Sequence, residues 1–564
     1  MPLIKFVFDF FNTAAAIFMN NQDPQSPRKA KKNGVKNLKR AQATLGISSI
    51  SIFFMNSIKR REFIKTVGLA TASVAVPGIL SKCNRAAKKP NIIYILADDL
   101  GYGELGCYGQ EKIKTPNIDR LAAEGIKFTQ HYAGSPVCAP SRCTLLTGKH
   151  TGHSQVRAND EMAELGDVWN DPSIEGQWPL AKNTDTIGTV LQNSGYTTSV
   201  IGKWGLGGPG SSGEPNKQGF DHWFGYLCQR QAHNYYPSHL WKNDKKFILK
   251  GNDYFSPHQK FPDEADPHDL NAYAQYSTKH YSPDLMAEEA LNFIRSNKEN
   301  PFFLYFATPV PHVALQVPAD SLKEYDDAFP ETPYLGEKGY LPHPTPRAAY
   351  AAMISRMDRD IGRIMALLKE LGLDKNTLVI FSSDNGPTYA GGVDYEFFKS
   401  AGPLRERKGR LYEGGIRIPL IARWPGRIKS GTESAHISAF WDVMPTLCEI
   451  TSTSIPPDTD GISFAPTLLG NKIQNKHAYL YWEFLSYGGQ QAVRMGRWKG
   501  IRTDLKKKDT DTSIQLYDLK EDFKESNNIA AENPEVVAKI KEIMQSARTK
   551  SRRFPFPELL SQSY

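Results

Sequence analysis

Five apolar runs punctuate the chain, Asn91–Ala97, Thr197–Ile201, Pro301–Ala307, Thr377–Phe381 and Ile418–Ala422, each closed by polar or small residues. Apolar character that is nearly continuous over so short a run predicts strands covered on both faces, the interior of a parallel sheet. Helical patterns lie between them. Thr115–Gly125 has a cap, a proline at its first position and a glycine stop, and Asp185–Ser194, closed by Gly195, repeats the plan. Ser282–Ser296 starts on Ser-Pro, Ala348–Leu371 carries Met353, Met357, Ile361, Ile364, Leu367 and Leu368 at helical spacing, and Trp441–Ile450 is a further helix. Strands alternating with helices predict an α/β/α sandwich.

After a change of composition near Asp458–Asn475, Tyr479–Phe484, Ala492–Thr503 and Ile514–Leu519 read as short antiparallel strands, with Pro534–Arg548 as a covering helix. The expected divisions are therefore a large α/β domain over 90–470 and a small C-terminal subdomain over 471–564. Residues 208–280 show little periodicity and many aromatic, His and Pro residues. A long irregular insert of this kind tends to be functional. Arg230, His233, Tyr235 and Tyr236 within it are the expected sugar-binding rim, since aromatic faces stack on sugar rings, with plain surface packing as the alternative.

Charge changes the picture only at the N-terminus. The net charge of +9 suggests nucleic-acid binding until it is divided: residues 1–90 hold 16 Lys+Arg and 3 Asp+Glu, leaving 53 and 57 for the rest. The nucleic-acid reading falls. Lys59-Arg60-Arg61-Glu62-Phe63-Ile64-Lys65 and the apolar run after it look like a twin-arginine export signal over 55–89, so the protein is expected in the periplasm, at the outer membrane or secreted. Leu80-Ser81-Lys82-Cys83 loosely resembles a lipoprotein box, although Lys82 departs from it, and a lipid on Cys83 is the one membrane attachment expected. Met55 lies five residues before Arg60 and is the expected start, with 1–54 an upstream extension. The six cysteines lack metal-ligand spacing.

The chemistry collects where strands end. Asn91–Ala97 runs into Asp98-Asp99, and Thr377–Phe381 into Ser382-Ser383-Asp384-Asn385-Gly386, so parallel strands would bring three carboxylates and an amide to one crevice. A solvated turn before Gly101 is the plainer reading of Asp98-Asp99. Pro301–Ala307 leads to His312, and Thr197–Ile201 to Gly202-Lys203-Trp204-Gly205. In Val137-Cys138-Ala139-Pro140-Ser141-Arg142, Pro140 suits a helix's first turn and Gly148 its end, which puts Cys138 among the orphan N–H groups with Arg142 about one turn further in. Such a place suits an oxyanion. The alternatives are a structural Cys138 or a Cys138–Cys143 disulfide.

Cys138-Ala139-Pro140-Ser141-Arg142 resembles the C-x-P-S-R signature of type I sulfatases, and Thr115-Pro116-Asn117-Ile118-Asp119, Gly202-Lys203-Trp204, Ser383-Asp384-Asn385-Gly386 and Leu404–Pro419 resemble further segments of that family. The resemblance implies an alkaline phosphatase-like α/β/α fold and a sulfuric ester hydrolase acting on a sulfated carbohydrate; galactose-type glycans are the class expected from the Gln229–Pro237 insert. It implies that a formylglycine-generating maturation enzyme oxidises Cys138 to formylglycine, whose hydrated aldehyde is the nucleophile. It also implies one calcium ion held by Asp98, Asp99, Asp384, Asn385 and the modified residue 138, an all-oxygen set that suits a hard cation. Arg142, Lys203 and Lys408 would bear on the sulfuryl group, Asp384 would take a proton from the nucleophile, and His312 would donate to the leaving oxygen. Gly205 stands where sulfatases usually carry histidine, which leaves that proton-transfer role to another histidine (His150, His233 or His312) or to water. A non-catalytic sulfated-glycan-binding relative and a phosphoesterase of the same fold are the rival readings.

Overall fold

The computed structural model describes residues 88–162, 174–175, 177–471 and 473–556. The chain divides into two units, Met1–Ala86 and Ala87–Tyr564, and the described residues all belong to the second. The expectations for Met55, the twin-arginine run and Cys83 lie outside them.

The strands in chain order are β1 (Asn91–Ala97), β2 (Ile126–Tyr132), β3 (Thr197–Lys203), β4 (His222–Tyr226), β5 (His239–Lys242), β6 (Lys245–Ile248), β7 (Phe302–Ala307), β8 (Thr377–Ser383), β9 (Arg417–Arg423), β10 (Thr432–Ser434), β11 (Ser438–Ala439), β12 (Leu480–Phe484), β13 (Gln490–Met495), β14 (Trp498–Arg502) and β15 (Gln515–Asp518). The helices that matter here are α1 (Pro116–Ala123), α2 (Cys138–Thr147), α3 (Ile187–Asn193), α4 (Ser282–Ser296), α5 (Pro346–Glu370), α6 (Val443–Thr451) and α7 (Pro534–Ser546). Among the described residues the large sheet has the order β10-β2-β9-β8-β1-β7-β3-β4-β5-β6, with β11 beside β2, and the small one β12-β13-β14-β15.

Its middle is parallel: β1 lies between β7 and β8, and β7 pairs with β3. Side chains of β1 alternate between two cores. Ile93 and Ile95 pack with Leu121, Met286 and Met353 from α1, α4 and α5. Ile92, Tyr94 and Leu96 pack with Leu145, Leu191 and Leu447 from α2, α3 and α6. Two buried faces are what the unbroken apolar runs require, and the result is the expected three-layer sandwich.

Three local expectations change. β9 is antiparallel to both β2 and β8, an orientation that burial alone does not fix. Ala492–Thr503 is not one strand but the hairpin β13–β14, turning at Gly496 with φ 59°. The 208–280 insert is not wholly irregular, since β4 extends the sheet beside β3 and β5–β6 form a hairpin at its edge.

Candidate active site

The carboxyl ends of four parallel strands point to one edge of the sheet. β1 ends in Asp98 and Asp99, β8 in Asp384 and Asn385, β3 in Lys203, and the segment after β7 brings His312. α2 enters the same edge with Cys138 as its first residue and stops at Gly148, which has φ 67° and donates its N–H to Thr144 O at 3.0 Å. All ten residues of α2 are buried, so its sequence shows no apolar stripe. Ser141 Oγ ties it down by donating to Asp384 O at 2.6 Å, and Asn159 Oδ1 accepts the orphan N–H of Ala139 at 2.9 Å. Cys138 and Cys143 are both free thiols, which disposes of the disulfide.

Six charged groups interlock around Cys138. Lys203 Nζ donates to Asp98 Oδ2 at 2.5 Å and Lys408 Nζ to Asp99 Oδ2 at 2.6 Å. The Arg142 guanidinium lies 2.8 Å from Asp384 Oδ2 and 3.5 Å from Asp98 Oδ2. Asp99, at φ 64°, donates its N–H to Asp384 Oδ1 at 3.0 Å. Cys138 Sγ is 3.3 Å from Asp98 Oδ1 and 3.7 Å from Lys408 Nζ. Lys408 comes from a loop clamped by the small sheet: Gln490 at the start of β13 donates from Nε2 to Gly409 O at 2.8 Å and accepts Leu411 N–H at 3.1 Å.

Burial acts to raise Asp98, but Lys203 and Arg142 outweigh it and hold the carboxyl far below the usual range. For Asp384 the balance reverses, and burial together with the charge of Asp98 pushes it up to about 7. Burial and Asp98 drive the Cys138 thiol well above its ordinary range. A neutral thiol is a poor nucleophile, so an unmodified Cys138 does not suit attack on an ester. Burial and Lys408 lower His312 to about 4. Its Nδ1 donates to Val313 O at 2.5 Å, which leaves the Nε2 lone pair toward Asp99 Oδ2 at 3.5 Å. To donate from Nε2 the ring must take up a second proton.

The set fits a hard divalent cation. Asn385 donates from Nδ2 to Asp99 Oδ1 at 2.8 Å, yet its own Oδ1 is buried without a hydrogen-bond partner. That orphan oxygen sits beside carboxylates that are fully buried. Ligating atoms of Asp98, Asp99, Cys138 and His312 also lie within 4.8 Å of one another. The carboxylates and Asn385 Oδ1 are oxygen donors, which favour calcium or magnesium over zinc, while the Cys138 sulfur and the His312 ring stand outside that oxygen set.

A cavity of about 270 Å³ opens over Cys138, Lys203, His312 and Lys408. Arg230 and His233 line it, with the His233 ring stacked on His312 at 4.6 Å and Arg230 paired to Glu161 at 3.1 Å. Tyr235 and Tyr236 do not form a rim. Tyr235 is fully buried and donates to Pro309 O at 2.7 Å and to His312 O, bracing the histidine segment, while Tyr236 packs on Tyr281 at 5.4 Å. The pairing of β4 carries this part of the insert back over the core, where aromatic rings bury more area than at a rim. The aromatic rim role falls to the exposed Tyr487 and the half-buried Tyr389, which sequence reasoning missed, although Tyr389 follows Ser383–Gly386 and Tyr487 precedes a Gly-Gly turn.

His150 lies elsewhere. It faces Asp460 at 3.7 Å and packs against Trp441 and Tyr481. His150→Asn is therefore expected to lower the melting temperature and leave turnover within about threefold, whereas His312→Ala should lower kcat by about 10²–10⁴. Steady-state rates beside thermal unfolding distinguish the two, and equal losses of turnover would refute this placement.

The Sulfatase family model matches residues 90–453, and the model for the N-sulphoglucosamine sulphohydrolase C-terminal region matches residues 407–550. The chain is similar to an N-acetylgalactosamine-6-O-sulfatase of Bacteroides thetaiotaomicron, 30% identical over 555 residues, 84% of this chain and 98% of that one. It is also similar to the N-acetylgalactosamine-6-sulfatase of Canis lupus familiaris, 30% identical over 70% of this chain and 69% of the other. In three dimensions it resembles the crystal structure of Ps i-CgsB, with a TM-score of 0.66 and 26% identity, covering 84% of this chain and 94% of that one.

Proposed function

The chain belongs to the sulfatase family, and from that premise we propose that this sulfuric ester hydrolase acts on a sulfated carbohydrate, with Cys138 matured to formylglycine and a calcium ion at the Asp98–Asp99–Asp384–Asn385 cluster. The observation that carries the reading is the meeting of one cysteine, three carboxylates and three cations at a single sheet edge. Hydrated formylglycine supplies an oxygen nucleophile where the neutral thiol would not. Asp98, Asp99, Asp384 and Asn385 would hold the calcium, which would supply positive charge close to the ester.

The chain's own groups do the rest. Arg142, Lys203 and Lys408 face the place where negative charge gathers on the sulfuryl oxygens, and their buried setting strengthens each interaction. His312, with Nδ1 fixed on Val313 O, is the group positioned to hand a proton to the departing sugar oxygen. Overall the ester O–S bond breaks, water supplies one oxygen to sulfate and one hydrogen to the sugar alcohol, and a proton is released. The two relatives compared above point to N-acetylgalactosamine 6-sulfate and related galactose-type sugars as the first substrates to try. Export through the Lys59–Lys65 run, lipid attachment at Cys83 and maturation by a formylglycine-generating enzyme belong to the same proposal.

Desulfation of a panel of monosulfated hexoses and N-acetylhexosamines, with and without EGTA, tests it. Chelation is expected to abolish turnover and calcium to restore it. Calcium at about 100 times its Kd should also stabilise the fold by about 2.7 kcal/mol. A panel without turnover by the matured enzyme would remove the carbohydrate reading, and activity indifferent to EGTA would remove the calcium.

A further inference from the structure

The cavity wall beside Lys203 contains an acceptor that nothing satisfies. Gln229 is only 4% exposed and lines the cavity. Its Nε2 donates to Asn159 O at 3.4 Å, while its Oε1 is buried with no hydrogen-bond partner. Buried polar atoms are nearly always paired, so an orphan acceptor on a residue that lines a binding cavity points to a ligand. Gly205 lies alongside, at φ 80°. A Cβ placed on it would stand 3.4 Å from Gln229 Oε1 and 3.7 Å from Gln177 Oε1. The missing side chain thus leaves a notch bordered by two amide oxygens, two residues beyond Lys203.

We propose that Gln229 is a specificity-determining residue whose Oε1 accepts a hydrogen bond from a neutral donor, a hydroxyl or an acetamido N–H, on the sugar that bears the sulfate. The inference rests on the carbohydrate reading above. Amide oxygens repel anions, so the same wall disfavours a second sulfate or a carboxylate at that position of the ring. Asn159 links the wall to the nucleophile, because Gln229 bonds its carbonyl while its Oδ1 caps Ala139 next to Cys138. A sugar seated on Gln229 is therefore registered against residue 138.

The test compares kcat/KM for galactose 6-sulfate and N-acetylgalactosamine 6-sulfate with that for 4-nitrophenyl sulfate, which has the ester and no sugar hydroxyl, in wild type, Gln229→Leu and Gln229→Glu. Leucine removes the acceptor, so the sugar-to-aryl ratio should fall by about tenfold or more. Glutamate keeps an acceptor and loses the donor to Asn159, so the ratio should stay within about threefold. An unchanged ratio in Gln229→Leu, or the same fall in both variants, overturns the proposal, the second result assigning Gln229 to holding Asn159. A wild-type series of monodeoxy sugar sulfates reads the contact without any substitution: one position should lose about tenfold, and a flat series overturns it. Wild-type turnover of the aryl sulfate and of no sugar overturns the carbohydrate reading and this inference together, whereas sugar turnover with an unmoved ratio overturns only the inference.

Discussion

Replacement of Cys138 by alanine is expected to lower kcat/KM on every sulfate ester by about 10⁴-fold or more, the scale seen when a nucleophile is removed and the surrounding site is kept. The fold should survive. Cys138 is the first residue of α2, and its sulfur makes only long, weak hydrogen bonds, at 3.3–3.8 Å, to Asp98, Asp99 and Lys408, each of which has a stronger charged partner. The same position carries a second readout. Oxidation of the thiol to an aldehyde lowers the peptide mass by roughly 18 Da, so mass spectrometry of the Cys138 peptide from active and inactive preparations should show activity tracking the converted fraction. Full activity in protein with an intact thiol would end the proposal.

Arg142→Met should fail in a different way. The guanidinium is 1% exposed and stands between Asp384 and Asp98. Its removal leaves two buried carboxylates short of a partner, a change that costs about 3–5 kcal/mol of stability. Activity should also fall by about 10²–10³, because one donor to the developing negative charge is lost. Lys408→Met is the control. That side chain is 13% exposed and reaches the site from a loop, so its loss should reduce turnover with a smaller change in stability. Denaturant unfolding of both variants decides the matter: an Arg142→Met midpoint equal to that of Lys408→Met would mean that Arg142 does not neutralise the pair.

Much of this site was legible because strand ends are legible. An unbroken apolar run fixes a strand buried on both faces, and in a parallel sheet the residues that follow such runs share an edge. That logic brought Asp98, Asp99, Lys203, His312, Asp384 and Asn385 together from widely spaced segments, and C-x-P-S-R added Cys138 and Arg142. What stayed hidden depended on the packing of irregular chain. Tyr235 and Tyr236 have the composition of a rim, yet the pairing of β4 turns them into the core. Tyr487 and Gln490 lie far along the chain, and the approach of the first to the cavity and of the second to the Gly409–Leu411 backbone follows from how the small sheet docks, which no local pattern encodes. β9 shows the same limit, since burial is identical for either direction of a strand.

The clamp of Gln490 on the segment around Lys408 bears on any attempt to shorten or recombine this protein. A truncation that ends the chain before β12 would keep every acid of the cluster and still release the loop that carries one of its three cations. A chimera that borrows another protein's terminal sheet would need to bring the matching 405–411 segment with it, so the natural seam for exchange runs through the loop that carries Lys408 and not along the visible border between the two sheets.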